Sequence, residues 1–492
     1  MKFFVHLTVC ILSVFSLSAY SRPKVEFRQS TSTPATQKLR SQIDRIISPE
    51  KKDLQAGIVA ASMDTGEILF ERNSDKLLIP ASVAKLFTMY AALKKLKPTA
   101  TFKTTIYTVG TLREGKLAGD LYLKGGGDPS LVSERLWMMV NELIRSGIRS
   151  ITGNIVSDST FFDEEKTPDS RPKYLKDQAY NAPVGALSFN FNTTTTYVKP
   201  GEGVGSPPVV YTDPENSYID IVNQGTTGKP GTKNSVLVSR TDYVKGDIGD
   251  TVLLRGSIPL DHKEMRFYKN IVNPALYTAH MFRTFWEQRG LKFTGNVIEG
   301  NVPSGAKQIL EFESMPLWQI VWGMNKFSNN FVADQILKKL GAEAWGPPGT
   351  REKGVTAMQD ALEDLGINRK SYEFTDGSGL TRNTRVTPRQ ILTVLSAAYH
   401  DFGVAPEALA SLGIAGDDGT VRNRFLNSEV EGLLRAKTGT LDGVTALAGF
   451  VPSRDNELIA FAIVLNDPKV KFGRMTHWAD EIAMQFGKFS RK

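Results

Sequence analysis

The sequence predicts an α/β fold in which one central antiparallel sheet, flanked by helices, is assembled from both ends of the chain and interrupted by a long insertion. Three observations carry this. A strand–turn–strand pattern lies near the start and two apolar strands lie near the end. Between them, helical periodicity alternates with a Gly-, Pro- and Thr-rich stretch of short strands. At 492 residues and 41% hydrophobic content the chain is too long for one core, and length alone suggests roughly two to four domains.

Taken in order, the chain begins with Lys2, an apolar run from Phe3 to Leu17 broken by His6, Thr8, Ser13 and Ser16, and then Ala19-Tyr20-Ser21. This reads as a secretory signal peptide over residues 1–21, cut after Ser21. It is shorter than the roughly 20 clean apolar residues of a membrane span. Cys10 follows Leu7-Thr8-Val9, a loose match to a lipoprotein signal, because Val9 is bulky where a small residue is wanted. A polar lead from Gln29 to Lys38 precedes a buried strand, Ala56–Met63, a hairpin turn at Asp64–Glu67 and a return strand, Ile68–Phe70. Ser82–Leu93 then reads as a helix that is apolar nearly all round, interrupted by Ser82, Lys85 and Thr88.

From Thr101 short strands and Gly-rich turns take over. The Gly125-Gly126-Gly127-Asp128-Pro129 run lacks the Lys-Ser/Thr of a phosphate loop and reads as a turn. Thr193–Lys269 reads as a small β-rich insertion with strands at Ser217–Val222 and Ser235–Ser239. Helical periodicity returns at Ala275–Arg289 and Leu317–Leu340. Strands at Thr445–Val451 and Leu458–Leu465 and a helix at Arg474–Phe489 complete the chain. The expected division is an outer domain from 25–98 and 306–492, an inserted domain from 99–192 and 268–305, and within it a third domain at 193–267.

Without residues 1–21 the chain has no cysteine, which excludes disulfides and cysteine catalysis, and export without disulfides points to the periplasm of a bacterial envelope. The five histidines are scattered and form no metal-binding motif, which disfavours a zinc site or a Ser-His-Asp triad. The formal charge of +8, or +7 without Lys2, suits acidic envelope polymers or peripheral contact with anionic headgroups, and equally a merely soluble surface. No long basic run or aromatic–basic signature suggests nucleic acid.

Ser-x-x-Lys occurs five times, at Ser21, Ser48, Ser82, Ser170 and Ser304, but only Ser82-Val83-Ala84-Lys85 opens a strong helix. There, positions i and i+3 share a face, so hydroxyl and amine can meet. An amine among Val83, Ala84, Leu86 and Phe87 loses solvation, which favours its neutral form and makes it a plausible base. Alone, this motif is equally an N-cap serine with a lysine reaching solvent. Lys437-Thr438-Gly439-Thr440 precedes the final strand pair. Thr438 and Thr440 share a strand face, suited to an anionic substrate terminus, and Gly439 clears space for an extended substrate along the edge. Ser328-Asn329-Asn330 sits at a break between helical stretches, where a cap would do as well. Their order and setting set them apart: Ser-x-x-Lys at a helix start, Ser-x-Asn between helices, Lys-Thr-Gly on a terminal strand.

With these motifs the sequence resembles the class C low-molecular-mass penicillin-binding proteins, the D-alanyl-D-alanine carboxypeptidase/endopeptidase family. The resemblance extends over Gly119–Pro129, Tyr180–Pro183, Met324–Asn330, Asp376–Leu380 and Ala415–Thr420, and includes the long gap between Lys85 and Ser328. It implies a penicillin-binding, transpeptidase-like domain interrupted by a nested two-domain insertion. The implied chemistry has Ser82 attacking a D-Ala carbonyl while Lys85 accepts its proton, with Ser328 and Lys437 relaying a proton to the leaving amine. Asn330 would hold the substrate amide, Thr438 and Thr440 its carboxylate, and the backbone N–H groups of Ser82 and Thr440 the oxyanion. The resemblance implies peptidoglycan stem peptides as substrate, β-lactams as covalent inhibitors, other cell-wall enzymes as partners, and neither a metal nor an organic cofactor. Asn190 falls where some relatives place an acidic residue at the cleft lip, and a neutral amide there would hold a substrate ammonium less strongly.

Two other functions compete. A β-lactamase would share Ser82, Lys85 and Lys437 but needs a deacylating glutamate in an E-x-x-L-N loop, a pattern this sequence lacks. An idle binding or sensor protein would keep the fold and dock partners on the insertion.

Overall fold

The computed structural model describes residues 26–29, 32–47, 54–172, 175–241, 249–470 and 472–492. The expected signal peptide, with Cys10, lies outside them. Both ends of the chain meet in one six-stranded antiparallel sheet. Its order is Gly413–Ile414, Arg435–Leu441, Val444–Pro452, Leu458–Asn466, Gln55–Ser62, Ile68–Arg72. The seam between the ends pairs Gln55 with Asn466 and runs to Ser62 opposite Ile459.

The central strands are buried throughout because helices cover both faces. One face carries small side chains, Ala61, Ala446, Ala448, Ala460 and Ala462, in the core shared with Lys85–Lys95, Leu317–Lys326, Asn330–Trp345 and Pro388–His400. The other presents Ile58, Leu447, Phe461 and Ile463 to Pro34–Ile46 and Phe472–Lys488. The period of two thus sends alternate residues to opposite cores. Alanines let the helix Pro388–His400 and the turn that holds Ser82 sit close to the sheet.

The Gln29–Lys38 lead is not simply polar. Thr33 caps the helix Pro34–Ile46 in a capping box with Thr36, and Pro34 occupies its first turn. The segment Leu317–Leu340 is two helices, Leu317–Lys326 and Asn330–Trp345, with Ser328 in the left-handed region at φ 55° between them.

A seven-stranded sheet gathers Lys103–Arg113, Lys116–Gly125, Ser150–Ile151, Ile155–Asp158, Lys292–Phe293, Val297–Glu299 and Lys307–Glu313. Ser133–Arg145 and Pro274–Gln288 share its core. Lys307–Glu313 corrects the expected boundary at 306: it pairs with Lys103–Arg113, Glu313 opposite Lys103, and belongs to this sheet. Only Phe312 of that strand is buried, so its sequence carries too weak an apolar pattern to announce a strand. The β-rich stretch from residue 193 forms two three-stranded sheets. One orders Met265–Asn270, Thr193–Lys199 and Val209–Asp213, and the other Leu237–Thr241, Asp250–Pro259 and Ile219–Gly228.

Candidate active site

Ser82 does not lie in an α-helix. It sits in a 3-10 turn, Ala81–Ala84, from which Lys85 opens the α-helix Lys85–Lys95. In a 3-10 turn residues i and i+3 eclipse, which brings the hydroxyl and amine together more directly than α-helical spacing. Ala81 enters the turn at φ 47°, a conformation that a side chain rarely adopts. Two glycines let neighbouring backbone close on it. A Cβ at Gly439 would lie 2.3 Å from the Pro80 carbonyl oxygen, and one at Gly379, at φ 72°, would lie 2.1 Å from that of Ala81. Gly439 therefore clears space for the serine turn, not for an extended substrate.

Lys85 is fully buried. Its Nζ lies 2.9 Å from Ser82 Oγ, 2.6 Å from Asn330 Oδ1 and 2.8 Å from the Ser378 carbonyl oxygen. Burial is the main force on its ionisation and lowers it to about 7, against the pull of the Asp334 and Asp376 carboxylates. A neutral amine has two N–H groups and one lone pair. Two carbonyl oxygens accept the N–H groups, which leaves the lone pair for the Ser82 hydroxyl.

Asn330 opens its helix and donates Nδ2 to the Tyr180 carbonyl, 2.8 Å away, tying the site to the inserted segment. The helix cap itself is Asn329, whose Oδ1 accepts from the Val332 N–H, so Ser328 and Asn330 are free to face the serine. The Lys437 Nζ donates to Ser328 Oγ at 2.9 Å and to the Thr438 carbonyl at 2.7 Å. Burial, then the charge of Lys85, holds Lys437 well below the ordinary lysine range.

Ser82, Ser328, Asn330, Thr438 and Thr440 open onto one cavity of about 680 Å³. Thr440 is exposed, while Thr438 is buried and donates to Thr420 Oγ1 at 2.8 Å. The short strand Gly413–Ile414 pairs only with Ala436 and Arg435. Among the described residues, Lys437 to Leu441 therefore has no strand partner on its cleft side. Arg382, which donates to the Asp442 carbonyl at 2.5 Å, adds a cation to the wall.

Asn190 does not line this cavity. Its Oδ1 accepts from the Ser133 N–H at 3.2 Å and its Nδ2 lies 3.2 Å from Ser133 Oγ, so the side chain serves the start of the helix Ser133–Arg145. At φ 46° the short amide turns back on that helix. The sequence reading also missed the buried cluster behind Lys85, formed by Asp334, Asp376 and Arg171. Asp334 follows Asn330 by one helical turn, a spacing that could have flagged it. Arg171 offered no signal.

The family model for the D-Ala-D-Ala carboxypeptidase 3 (S13) family matches residues 39–482. The D-alanyl-D-alanine carboxypeptidase of Actinomadura sp. (strain R39) is 34% identical over 447 residues, covering 87% of this chain and 81% of that protein. The D-alanyl-D-alanine carboxypeptidase DacB of Haemophilus influenzae is 26% identical over 412 residues, 83% of this chain and 85% of its own length. The fold is similar to the crystal structure of penicillin-binding protein 4 from Haemophilus influenzae, with a TM-score of 0.76 at 23% identity over 90% of this chain and 98% of that one. With the family model spanning nearly the whole described chain and a relative one-third identical across most of it, the protein belongs to the D-Ala-D-Ala carboxypeptidase 3 (S13) family.

Proposed function

We propose that this protein is a serine D-alanyl-D-alanine carboxypeptidase of the periplasm that cuts peptidoglycan stem peptides through an acyl-enzyme on Ser82, with endopeptidase activity on cross-linked dimers. The observation that carries it is the Lys85 amine, buried and fixed by two carbonyl acceptors with its remaining position 2.9 Å from Ser82 Oγ.

On attack, the Ser82 Oγ–H proton passes to Lys85 while Oγ bonds to the D-Ala carbonyl carbon. The backbone N–H groups of Ser82 and Thr440 receive the oxyanion. As the C–N bond breaks, a proton reaches the leaving amine through Ser328, whose Oγ receives the Lys437 ammonium. Water then attacks the ester carbonyl, Lys85 returns its proton to the departing Ser82 Oγ, and the proton that water gives up restores Lys437 through Ser328. The substrate carboxylate meets Thr440 and Thr438, and Asn330 holds the substrate amide. The unpaired edge of Lys437–Leu441 accepts an extended peptide as an added strand. A carboxypeptidase and an endopeptidase differ here only in the leaving amine. A cavity of about 680 Å³ opening on that edge admits either. Penicillins acylate the same serine. The apolar leader ending at Ser21 supports export.

The test is mass spectrometry of pentapeptide monomers and cross-linked dimers incubated with the parent protein and with Ser82→Ala. Loss of terminal D-Ala, splitting of dimers, and a penicillin adduct on Ser82, all in the parent alone, are expected. Rapid hydrolysis of penicillin without action on either peptide would mean a β-lactamase instead.

A further inference from the structure

We propose that Arg171, supplied by the inserted segment, is a positioning residue for the acylation step: its guanidinium offsets the two carboxylates behind Lys85 and so lets that lysine serve as base at neutral pH. The inference rests on the reading of Lys85 as the base of Ser82.

The geometry is a closed buried cluster. Arg171 Nη2 is ion-paired to Asp334, lies 3.3 Å from Ser378 Oγ and stands 3.8 Å from Asp376 Oδ2, while Nη1 donates to Asn181 Oδ1 at 3.1 Å. Asp334 Oδ1 accepts the Gly377 N–H, and Asp376 accepts the N–H groups of Gly379 and Thr381 and the Ser378 hydroxyl. The Ser378 carbonyl in turn takes a hydrogen bond from Lys85. The side chains of Arg171, Asp334 and Asp376 are 1%, 8% and 0% exposed, so water screens little of their charge.

The charged groups acting on Lys85 are Asp334 from Asn330–Trp345, Asp376 from a loop beyond the helix Arg351–Glu363 and Arg171 from the insertion, while Lys437 from the strand Arg435–Leu441 is itself pushed down by the charge of Lys85. The other helices packed on Lys85–Lys95 contribute apolar side chains to the shared core: Val321 and Met324, Met358 and Leu362, Leu392 and Leu395. Without Arg171, the pull of two buried carboxylates on Lys85 would lose the guanidinium that opposes it, and Lys85 would keep its proton. The insertion is then part of the catalytic electrostatics.

The experiment is the pH dependence of penicillin acylation at Ser82, followed by mass spectrometry, for the parent and for Arg171→Met, Arg171→Lys and Asp334→Asn. Acylation requires neutral Lys85, so its rate climbs as pH rises through that group's ionisation. Removing one charge from a buried cluster moves that limb by about one pH unit. For Arg171→Met it moves to alkaline pH, making acylation about tenfold slower at pH 6 and near parental at pH 9, while Arg171→Lys stays near the parent. For Asp334→Asn, which removes a negative charge, the limb moves the opposite way. A fault of folding alone would slow every variant equally at all pH values. Superimposable profiles, a pH-independent loss, or a proton taken up by Asp334 with no shift of the limb would overturn the proposal while leaving Ser82 chemistry intact. No acylation of the parent would overturn both.

Discussion

Replacing Gly439 by alanine puts one methyl group against the backbone of the serine turn and the Ala446 side chain. The new Cβ would stand 2.3 Å from the Pro80 carbonyl oxygen and 3.2 Å from the Val83 nitrogen. Relieving the first contact needs a separation of roughly 1 Å between the strand Arg435–Leu441 and the serine turn. Neither partner is a flexible side chain, so the turn or the strand must shift as a unit. Lys437, Thr438 and Thr440 are on the strand, while Ser82 and Lys85 belong to the turn and the helix it opens. The displacement therefore separates the proposed nucleophile and base from the proposed relay and carboxylate site. It leaves the 2.9 Å contact between Ser82 and Lys85 in place. A misplacement of this size costs about 100-fold in rate, or ~2.7 kcal/mol of barrier. Overpacking costs a further ~1–3 kcal/mol of stability. The assay is the second-order rate of penicillin acylation across pH, beside a thermal melt. The expected result is a rate about 100-fold down at every pH, a retained alkaline-rising limb and a lower Tm. Acylation within threefold of the parent would show that the turn does not depend on this approach, and the positional argument would fail.

Other expectations follow from the same geometry. Acylation of the parent should rise with pH through about 7, because burial lowers Lys85 to that value and only its neutral form accepts the serine proton; a rate flat from pH 5 to 9 would contradict this. Lys85→Ala should slow acylation by about 10²–10⁴-fold and abolish that limb. It should change noncovalent substrate affinity far less, as stopped-flow traces would separate. Ser328→Ala removes the side-chain oxygen that contacts the Lys437 Nζ and should slow peptide cleavage more than penicillin acylation, since penicillin's leaving amine stays tethered. Asn190→Ala should leave acylation within about twofold and lower stability by about 1 kcal/mol through the lost contact at the start of Ser133–Arg145, measured by urea titration.

What the sequence disclosed was whatever depended on local pattern. The all-round apolar run after Ser82 announced a buried helix, which made a desolvated Lys85 plausible without deciding it against a lysine reaching solvent. The two terminal apolar strands announced the sheet, because helices on both faces demand continuous burial. What stayed hidden depended on distant chain segments. Arg171 meets Asp334 across 163 residues, and nothing near Arg171 marks it. The 3-10 form of the serine turn is shaped by Gly439 and Gly379 closing on its carbonyls, so no reading of residues 81–85 alone could find it. Gly439 was legible as a site residue for the wrong reason, since a bare glycine does not say which neighbour it accommodates. Asn190 misled because an Asn beside a cleft segment suits a substrate contact and a helix start equally well.

The two buried lysines explain why the proposed proton path runs one way. Each is desolvated, and the charge of Lys85 further lowers Lys437. Two ammonium groups this close with little water are costly together, so the site favours one mobile proton over two. For Lys85 to act as base, the proposed path needs that proton on Lys437, beside Ser328, before attack. Once Lys85 takes the Ser82 proton, both lysines are charged, and the state is relieved when a proton leaves through Ser328 to the departing amine. The repulsion therefore drives leaving-group protonation just after the acyl bond forms. Lys437→Ala should accordingly remove this push while leaving Lys85 easier to protonate. Its acylation limb should move to alkaline pH, and peptide turnover should fall more than penicillin acylation. A limb moving to acid pH would contradict the coupling between the lysines.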